Sequence, residues 1–263
     1  MKKTNTRLDR IIEYKLKELE IRKKELPLSK IKSLIGENKF TKNSFKDSLS
    51  NKGRISLIAE IKKASPSLGI IKEDFNHIEI AKNYEKYGAS AISVLTDEYF
   101  FQGNINFIED IKKNVDLPIL RKDFLFDPYQ IYESKAFGAD AILLIAGILS
   151  KEELRHFLDL AHELEMDCLL ETHTYLEIDA ANDSSADIIG INNRDLKTFA
   201  VDINNFLNLS RFIPKNKIIV CESGIFTRTD TLKVKLAGAD AILVGESLMT
   251  AKDLKSKIFE LMI

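Results

Sequence analysis

Cysteine is scarce in this chain: only Cys168 and Cys221 occur, far apart, with no CxxC pair and no histidine cluster beside them. That argues against a disulfide framework or a structural zinc site. Both lie in apolar runs that read as strands, Met166 to Leu170 and Ile218 to Cys221, so buried, reduced thiols are expected. A charge excess is missing as well. Thirty-nine basic and 40 acidic residues leave a formal net charge of −1, which gives no global field to draw in nucleic acid or an acidic membrane. No apolar run reaches the roughly 18 residues of a membrane helix, and the first residues lack the apolar core of a secretory signal. The expectation is a cytoplasmic protein with neither nucleic acid nor membrane as partner.

What is present is a repeat. Tyr87-Gly88-Ala89-Ser90-Ala91-Ile92 recurs as Phe137-Gly138-Ala139-Asp140-Ala141-Ile142 and as Ala237-Gly238-Ala239-Asp240-Ala241-Ile242, with a looser echo at Ser185-Ala186-Asp187-Ile188-Ile189. Each copy ends a helical pattern on a glycine, which can take a left-handed C-cap, and opens an apolar run. Such periodicity predicts tandem βα units. Strand-like runs fall at Ser56–Ile61, Ala91–Leu95, Pro118–Leu120, Ala141–Ile145, Asp167–Glu171, Asp187–Ile191, Lys217–Cys221 and Ala241–Val244. Several are apolar throughout, as parallel strands buried on both faces are. Amphipathic helical patterns separate them, among them Ile80, Ala81, Tyr84 and Tyr87; Leu154, Phe157, Leu158, Ala161 and Leu164; and Leu254, Ile258 and Leu261.

Eight such units fit the 263 residues and the 44% hydrophobic content, since a (β/α)₈ TIM barrel takes about 250 residues as one domain. The fold expected is therefore α/β, a single (β/α)₈-barrel domain over residues 1–263, in which 1–50 form an N-terminal helical extension. In that extension Asn5 to Lys24 reads as a charged helix with Leu8, Ile11, Ile12, Leu16 and Leu19 on one apolar face. Pro27 breaks it, and a second helix is expected from Leu28 to Ile35. Acidic residues interleave with the lysines, so the basic face reads as solvated. The functional alternative is a segment laid on the barrel as a lid.

Barrel enzymes place their chemistry at the C-terminal ends of the strands, and reactive residues gather there. The first strand ends Glu60-Ile61-Lys62, whose alternation puts Glu60 and Lys62 on one face; a turn-forming Ser65-Pro66-Ser67 follows. The third ends at Lys122, ahead of Asp127 and Pro128, which suit the start of a helix. Two lysines at one mouth are expected to lower each other's pKa. Glu171 closes the fifth strand and wants a partner, whereas His173, next to a candidate helix cap at Thr174, reads as a structural hydrogen-bonding residue. Asn192 closes the sixth. Ser223-Gly224 and Gly245-Glu246-Ser247 follow the last two strands, where glycine-rich loops and a helix N-terminus let backbone amides approach a phosphate.

Together, EIKKASPSLG (60–69), LTDEYFFQG (95–103), RKDFLFDPYQ (121–130), LLETHT (169–174), IGINNRDLKTF (189–199), ESGI (222–225) and VGESLM (244–249) resemble the indole-3-glycerol-phosphate synthase family, in its order and from first strand to last. Arg121 and Cys221, beside KDF and ESGI, depart from its pattern at positions not counted as catalytic. The resemblance implies a carboxy-lyase of tryptophan biosynthesis. It converts 1-(2-carboxyphenylamino)-1-deoxyribulose 5-phosphate to indole-3-glycerol phosphate with loss of CO₂ and water, and no cofactor or metal. It implies Lys122 as the acid at the carbonyl and Lys62 as partner of the substrate carboxylate. Glu171 is implied as the base of the dehydration, with either lysine as the acid of that stage, and Glu60 and Asn192 as orienting groups. Ser65, Gly224, Gly245 and Glu246 are implied for phosphate, with Ser223 and Arg194 on the substrate nearby. Phe101, Phe124 and Leu143 are implied as the slot for the aromatic ring, though for Leu143 plain barrel packing serves nearly as well. The expected partner is a small phosphorylated substrate. The chain is expected to be a monomer, with at most weak association with other tryptophan-pathway enzymes. Two rivals stand beside this reading: a phosphoribosylanthranilate isomerase, whose chemistry involves no decarboxylation, and a non-catalytic phosphosugar-binding subunit.

Overall fold

The structure, a computed structural model, describes residues 6–37, 40–50, 53–195, 198 and 200–263. Asn5, the expected start of the first helix, and Leu196, Lys197 and Phe199 of the 189–199 motif lie outside the described residues. Eight parallel strands close into a barrel: β1 (Ser56–Ile61), β2 (Ala91–Leu95), β3 (Ile119–Lys122), β4 (Ala141–Ile145), β5 (Asp167–Thr172), β6 (Ile188–Asn192), β7 (Ile218–Glu222) and β8 (Ala241–Val244). Each strand pairs with its neighbours in sequence, and β1 closes the ring against β8, with Ser56 opposite Ala241 and Ala59 opposite Val244. β1, β2, β4, β6 and β8 are buried at every position, which is why they lack the polar alternation of a strand exposed on one face. A short hairpin pairing Ala64–Ser65 with Gly69–Ile70 follows β1.

The repeat has a structural reason at both of its halves. Gly88, Gly138 and Gly238 adopt φ of +91°, +90° and +100°, which a side chain would resist. The aspartates then tie the barrel floor: Asp140 accepts from the Ile119 amide at 2.9 Å and Asp240 from the Ile219 amide at 2.8 Å.

Helix α1 (Arg7–Glu25) is capped by Thr6, and α2 (Leu28–Glu37) follows Pro27. Both precede α3 (Phe45–Leu49), and α4 (His77–Lys86) follows β1. Leu8 and Ile12 join the main core, while Leu19 and Ile31 pack with Tyr129 and Ala136. The expected apolar face of α1 needs one correction: Leu16 is 42% exposed. Lys15, two turns on from Leu8, occupies the middle of the buried stripe instead, with a side chain only 3% exposed. Three carboxylates explain this, as described below. α5 (Glu98–Phe101) and α6 (Asn106–Lys112) follow β2, and α7 (Pro128–Ala136) follows β3. α7 begins with a capping box between Asp127 and Gln130 and Pro128 in its first turn. Both cysteines are unpaired, and burial pushes the Cys221 thiol up to about 12. No helix among the described residues is long and apolar enough to cross a membrane.

Candidate active site

One cavity opens at the C-terminal ends of the strands. Glu60, Lys62, Phe101, Lys122, Phe124, Leu143, Glu171, Asn192, Arg194, Ser223, Gly224, Gly245 and Glu246 all line it. Ser65 does not: it sits in the hairpin after β1, its hydroxyl accepting from the Leu68 amide at 3.3 Å and lying 3.4 Å from Ser67 Oγ. Two lining groups come from the extension, Leu8 and Ile11 of α1, so this helix reaches the mouth of the barrel.

The charged wall is a chain of paired groups. Lys62 Nζ donates to Glu60 Oε1 at 2.5 Å. Burial alone would raise the Glu60 carboxyl, but the Lys62 and Lys122 ammonium groups hold it below the usual carboxylate range. Lys122 Nζ stands 3.5 Å from Glu171 Oε2 and 3.7 Å from Glu222 Oε2. The expected mutual lowering of the two lysines is overturned at Lys122. Burial does favour its neutral form, yet Glu171, Glu222 and Glu60 together hold its pKa above the ordinary lysine value. Near a lone second lysine it would fall; among three carboxylates it rises.

Glu222 is the functional residue that sequence reasoning missed. The apolar run before it ends at Cys221 in the sequence, whereas β7 continues one residue further and turns the carboxyl into the cavity. Glu171 and Glu222 stand on either side of β6, both within reach of Lys122, and the charge of one raises the pKa of the other. Burial and the Glu171 charge push Glu222 well above the usual range. Against its own burial, Glu171 is held low by Lys122, by His173 and by a hydrogen bond from Asn192. Of the two, Glu171 is the carboxyl that favours the ionised form and Glu222 the one that favours the proton. His173 lies beside it, Nε2 being 3.4 Å from Glu171 Oε1 and Nδ1 3.7 Å from Glu177 Oε2. Burial opposes charge on this imidazole, but the two carboxylates raise its pKa.

Opposite lies a cradle of backbone. Ser223 and Gly224 adopt φ of +64° and +82°, a sequence of left-handed residues that exposes successive amides to an anion. The Asn193 amide group steadies the turn by donating to Ser223 O at 2.9 Å. Helices α8 (Lys151–Glu163), α9 (Tyr175–Asn182), α10 (Asn204–Leu209) and α11 (Arg228–Leu236) follow α7, and Gly245 precedes the short helix α12 (Glu246–Met249). Arg194 approaches from β6, its guanidinium 3.3 Å from Glu246 Oε2 and its amide donating to Asn192 Oδ1 at 2.9 Å. The third wall is apolar: the Phe101 and Phe124 rings lie 6.3 Å apart at 37°, with Leu143 near them. Among the described residues no cluster of His, Cys, Asp and Glu is arranged to hold a metal ion. The site can thus take an elongated ligand with an aromatic end, an anionic end and a reactive centre between acid and base.

A family model described as indole-3-glycerol phosphate synthase matches residues 8–261. The chain is 48% identical over 254 residues to an indole-3-glycerol phosphate synthase from Alkaliphilus metalliredigens, covering 97% of each. It is 50% identical over 252 residues to one from Thermoanaerobacter pseudethanolicus, covering 95% of each. Among solved structures, a 3-hexulose-6-phosphate synthase from Salmonella typhimurium superposes with a TM-score of 0.64 at 14% identity, over 79% of this chain and 96% of that one. At that identity the likeness speaks for the barrel alone.

Proposed function

The chain belongs to the indole-3-glycerol phosphate synthase family, and from that premise we propose how its own residues carry the reaction. The enzyme is a carboxy-lyase of tryptophan biosynthesis that acts on a small phosphorylated substrate. It closes the pyrrole ring of 1-(2-carboxyphenylamino)-1-deoxyribulose 5-phosphate and expels CO₂ and water. The observation that carries the residue assignment is the position of Lys122. Its ammonium lies 3.5 Å from the Glu171 carboxylate, in the same cavity as the ring slot and the backbone cradle.

Ring closure joins the ring carbon that bears the carboxylate to the ketone carbon, whose oxygen becomes an alkoxide. Lys122, kept charged by its carboxylate neighbours, stabilises that growing charge and gives up its proton as it forms. Lys62, held by Glu60, pairs with the substrate carboxylate until CO₂ leaves and the ring regains aromaticity. Dehydration then removes the new hydroxyl as water, with a proton from a lysine. Glu171 takes a proton from the adjacent carbon, forming the double bond. Two protons go in and one comes out, which balances the loss of a carboxylate as neutral CO₂. Asn192 and Glu222 hold Glu171 in place. Gly224, Gly245 and Glu246 offer backbone amides to the phosphate, with Ser223 and Arg194 alongside. Ser65 enters this reading through the hairpin it closes. Phe101, Phe124 and Leu143 hold the aromatic ring, so that the reacting carbons meet in one geometry. Action as a monomer in the cytoplasm is part of the same reading.

The test is direct. Purified protein given the carboxyphenylamino substrate should generate indole fluorescence; silence from folded protein would sink the assignment. The isomerase and binding-subunit alternatives both predict silence. The Lys122–Glu171 pairing beside a ring slot speaks against them.

A further inference from the structure

A lysine buried in the middle of an apolar helix face has to be held by charge, and Lys15 of α1 is held three times. Its Nζ lies 2.9 Å from Asp123 Oδ1, 3.5 Å from Asp97 Oδ2 and 3.0 Å from Glu18 Oε1. Asp97 and Asp123 are themselves at most 2% exposed, and each lies just past the end of a strand, at the start of the segment that leads into one side of the ring slot. Asp97 Oδ1 caps α5, accepting from the amides of Phe100 at 2.7 Å and Phe101 at 3.3 Å. Asp123 Oδ1 accepts from the Phe124 amide at 2.8 Å, while its other oxygen takes Thr96 Oγ1 at 2.6 Å and Arg121 Nη2 at 3.1 Å. The two phenylalanines so anchored are the rings that face each other in the cavity.

We propose that Lys15 is a positioning residue for substrate recognition: its single ammonium clamps Asp97 to Asp123 and so sets the separation of Phe101 and Phe124. The N-terminal helix thereby governs the grip on the aromatic half of the substrate and leaves the phosphate half alone. This rests on the reading of that slot as the ring site. Without the ammonium, two buried carboxylates face one another with one cation fewer, and they part or take up a proton. Either response moves the backbone amides they hold. The phosphate cradle of Ser223, Gly224 and Gly245 shares none of these bonds.

The experiment uses the full chain and three variants, Lys15→Met, Lys15→Arg and the double variant Lys15→Met/Asp97→Asn. Turnover is measured together with affinity for two ligands, indole-3-glycerol phosphate and glycerol 3-phosphate, which lacks the ring. For Lys15→Met the affinity for the ring-bearing ligand should fall, and KM should rise, by about tenfold or more. kcat and glycerol 3-phosphate affinity should stay within about threefold, the signature of lost uniform binding. Lys15→Arg should recover most of the KM. If Lys15→Met does not fold, the double variant, relieved of one carboxylate charge, carries the same expected split. Equal weakening of both ligands, or no weakening of either, overturns the proposal. Wild-type protein that forms no indole overturns the functional reading itself, so the two failures are told apart.

Discussion

Glu60 and Gly245 meet where β1 closes against β8, so closely that a β-carbon at position 245 would run into the Glu60 carboxylate. Position 245 is thus glycine for a neighbour's sake, since its φ of −120° is one that other residues adopt. Gly245→Ala should push Glu60 away from Lys62 and disturb the loop that leads into α12. A displacement of that size in a preorganised site costs on the order of 10²-fold in kcat/KM. Gly36→Ala, on α2 with nothing near the added carbon, serves as the control. It should leave kinetics unchanged and stabilise the helix by up to about 1 kcal/mol. Steady-state rates and urea midpoints of the two variants check both statements.

The Glu171–Glu222 pair predicts that two similar substitutions behave differently. Glu171 is the ionised member, so Glu171→Gln removes a base and should lower kcat by at least about 10²-fold. Burial and the Glu171 charge favour a proton on Glu222, which on this reading presents a donor toward Glu171. Glu222→Gln keeps a donor there and should stay within about tenfold of wild type by the same measure. The pH profile offers a second reading. As pH rises through the elevated Glu222 value, wild type loses that donor and gains a second buried charge, so its rate should fall. Glu222→Gln has no such proton to lose and should lack that alkaline limb. Equal losses in the two variants would reverse the assignment of the proton.

Most of the barrel could be read from residues because its signals are local. The Gly-Ala repeat marks where helices stop and strands start, and β1, β2, β4 and β8 begin and end where their apolar runs do. The strand ends nearest the chemistry were harder. β3 was expected at Pro118–Leu120 and lies at Ile119–Lys122, because Arg121 remains in the sheet with its guanidinium buried against Asp123 and Glu133. β7 runs on to Glu222 for the same reason: polarity ends an apolar run without ending the hydrogen-bonded ladder. Lys62, Lys122 and Glu171 were legible as strand-end charges. Lys15 was not, since its partners Asp97 and Asp123 lie more than 80 residues away in sequence and helical periodicity alone nominates Leu16.

Stability in acid should depend on Asp123. Burial opposes its charge, but Lys15, Arg121 and Thr96 hold its carboxyl well below the usual aspartate range. Unfolded, it titrates near about 3.9. The unfolded chain therefore takes up this proton first as pH falls. The stability contributed by Asp123 is complete above about pH 4 and drains away below it. Asp123→Asn should lose about 3–5 kcal/mol at pH 7, because Lys15 and Arg121 remain buried with one carboxylate fewer. Its urea midpoint should also fall less between pH 6 and pH 3 than that of wild type. An equally steep fall in the variant would place the acid sensitivity elsewhere.

Lys122→Met removes the one group placed to give a proton to the carbonyl oxygen, and turnover should drop by roughly 10³-fold or more. Glycerol 3-phosphate affinity should persist, since the cradle of Gly224 and Gly245 shares no bond with the ammonium. The more distinctive consequence concerns stability. In wild type, Lys122 opposes the effect of burial on Glu171 and keeps that carboxyl low. Without it, burial dominates, and Glu171 joins Glu222 above the value of about 4.3 that either has when unfolded. A group whose folded pKa is raised contributes stability in acid and loses it as pH rises through that pKa. Lys122→Met should therefore lose Tm relative to wild type between pH 5 and pH 8, because wild-type Glu171, held low, has already made its full contribution above about pH 5 and does not share that loss. A variant whose Tm deficit is the same at both pH values would show that Lys122 does not hold Glu171 in its ionised form.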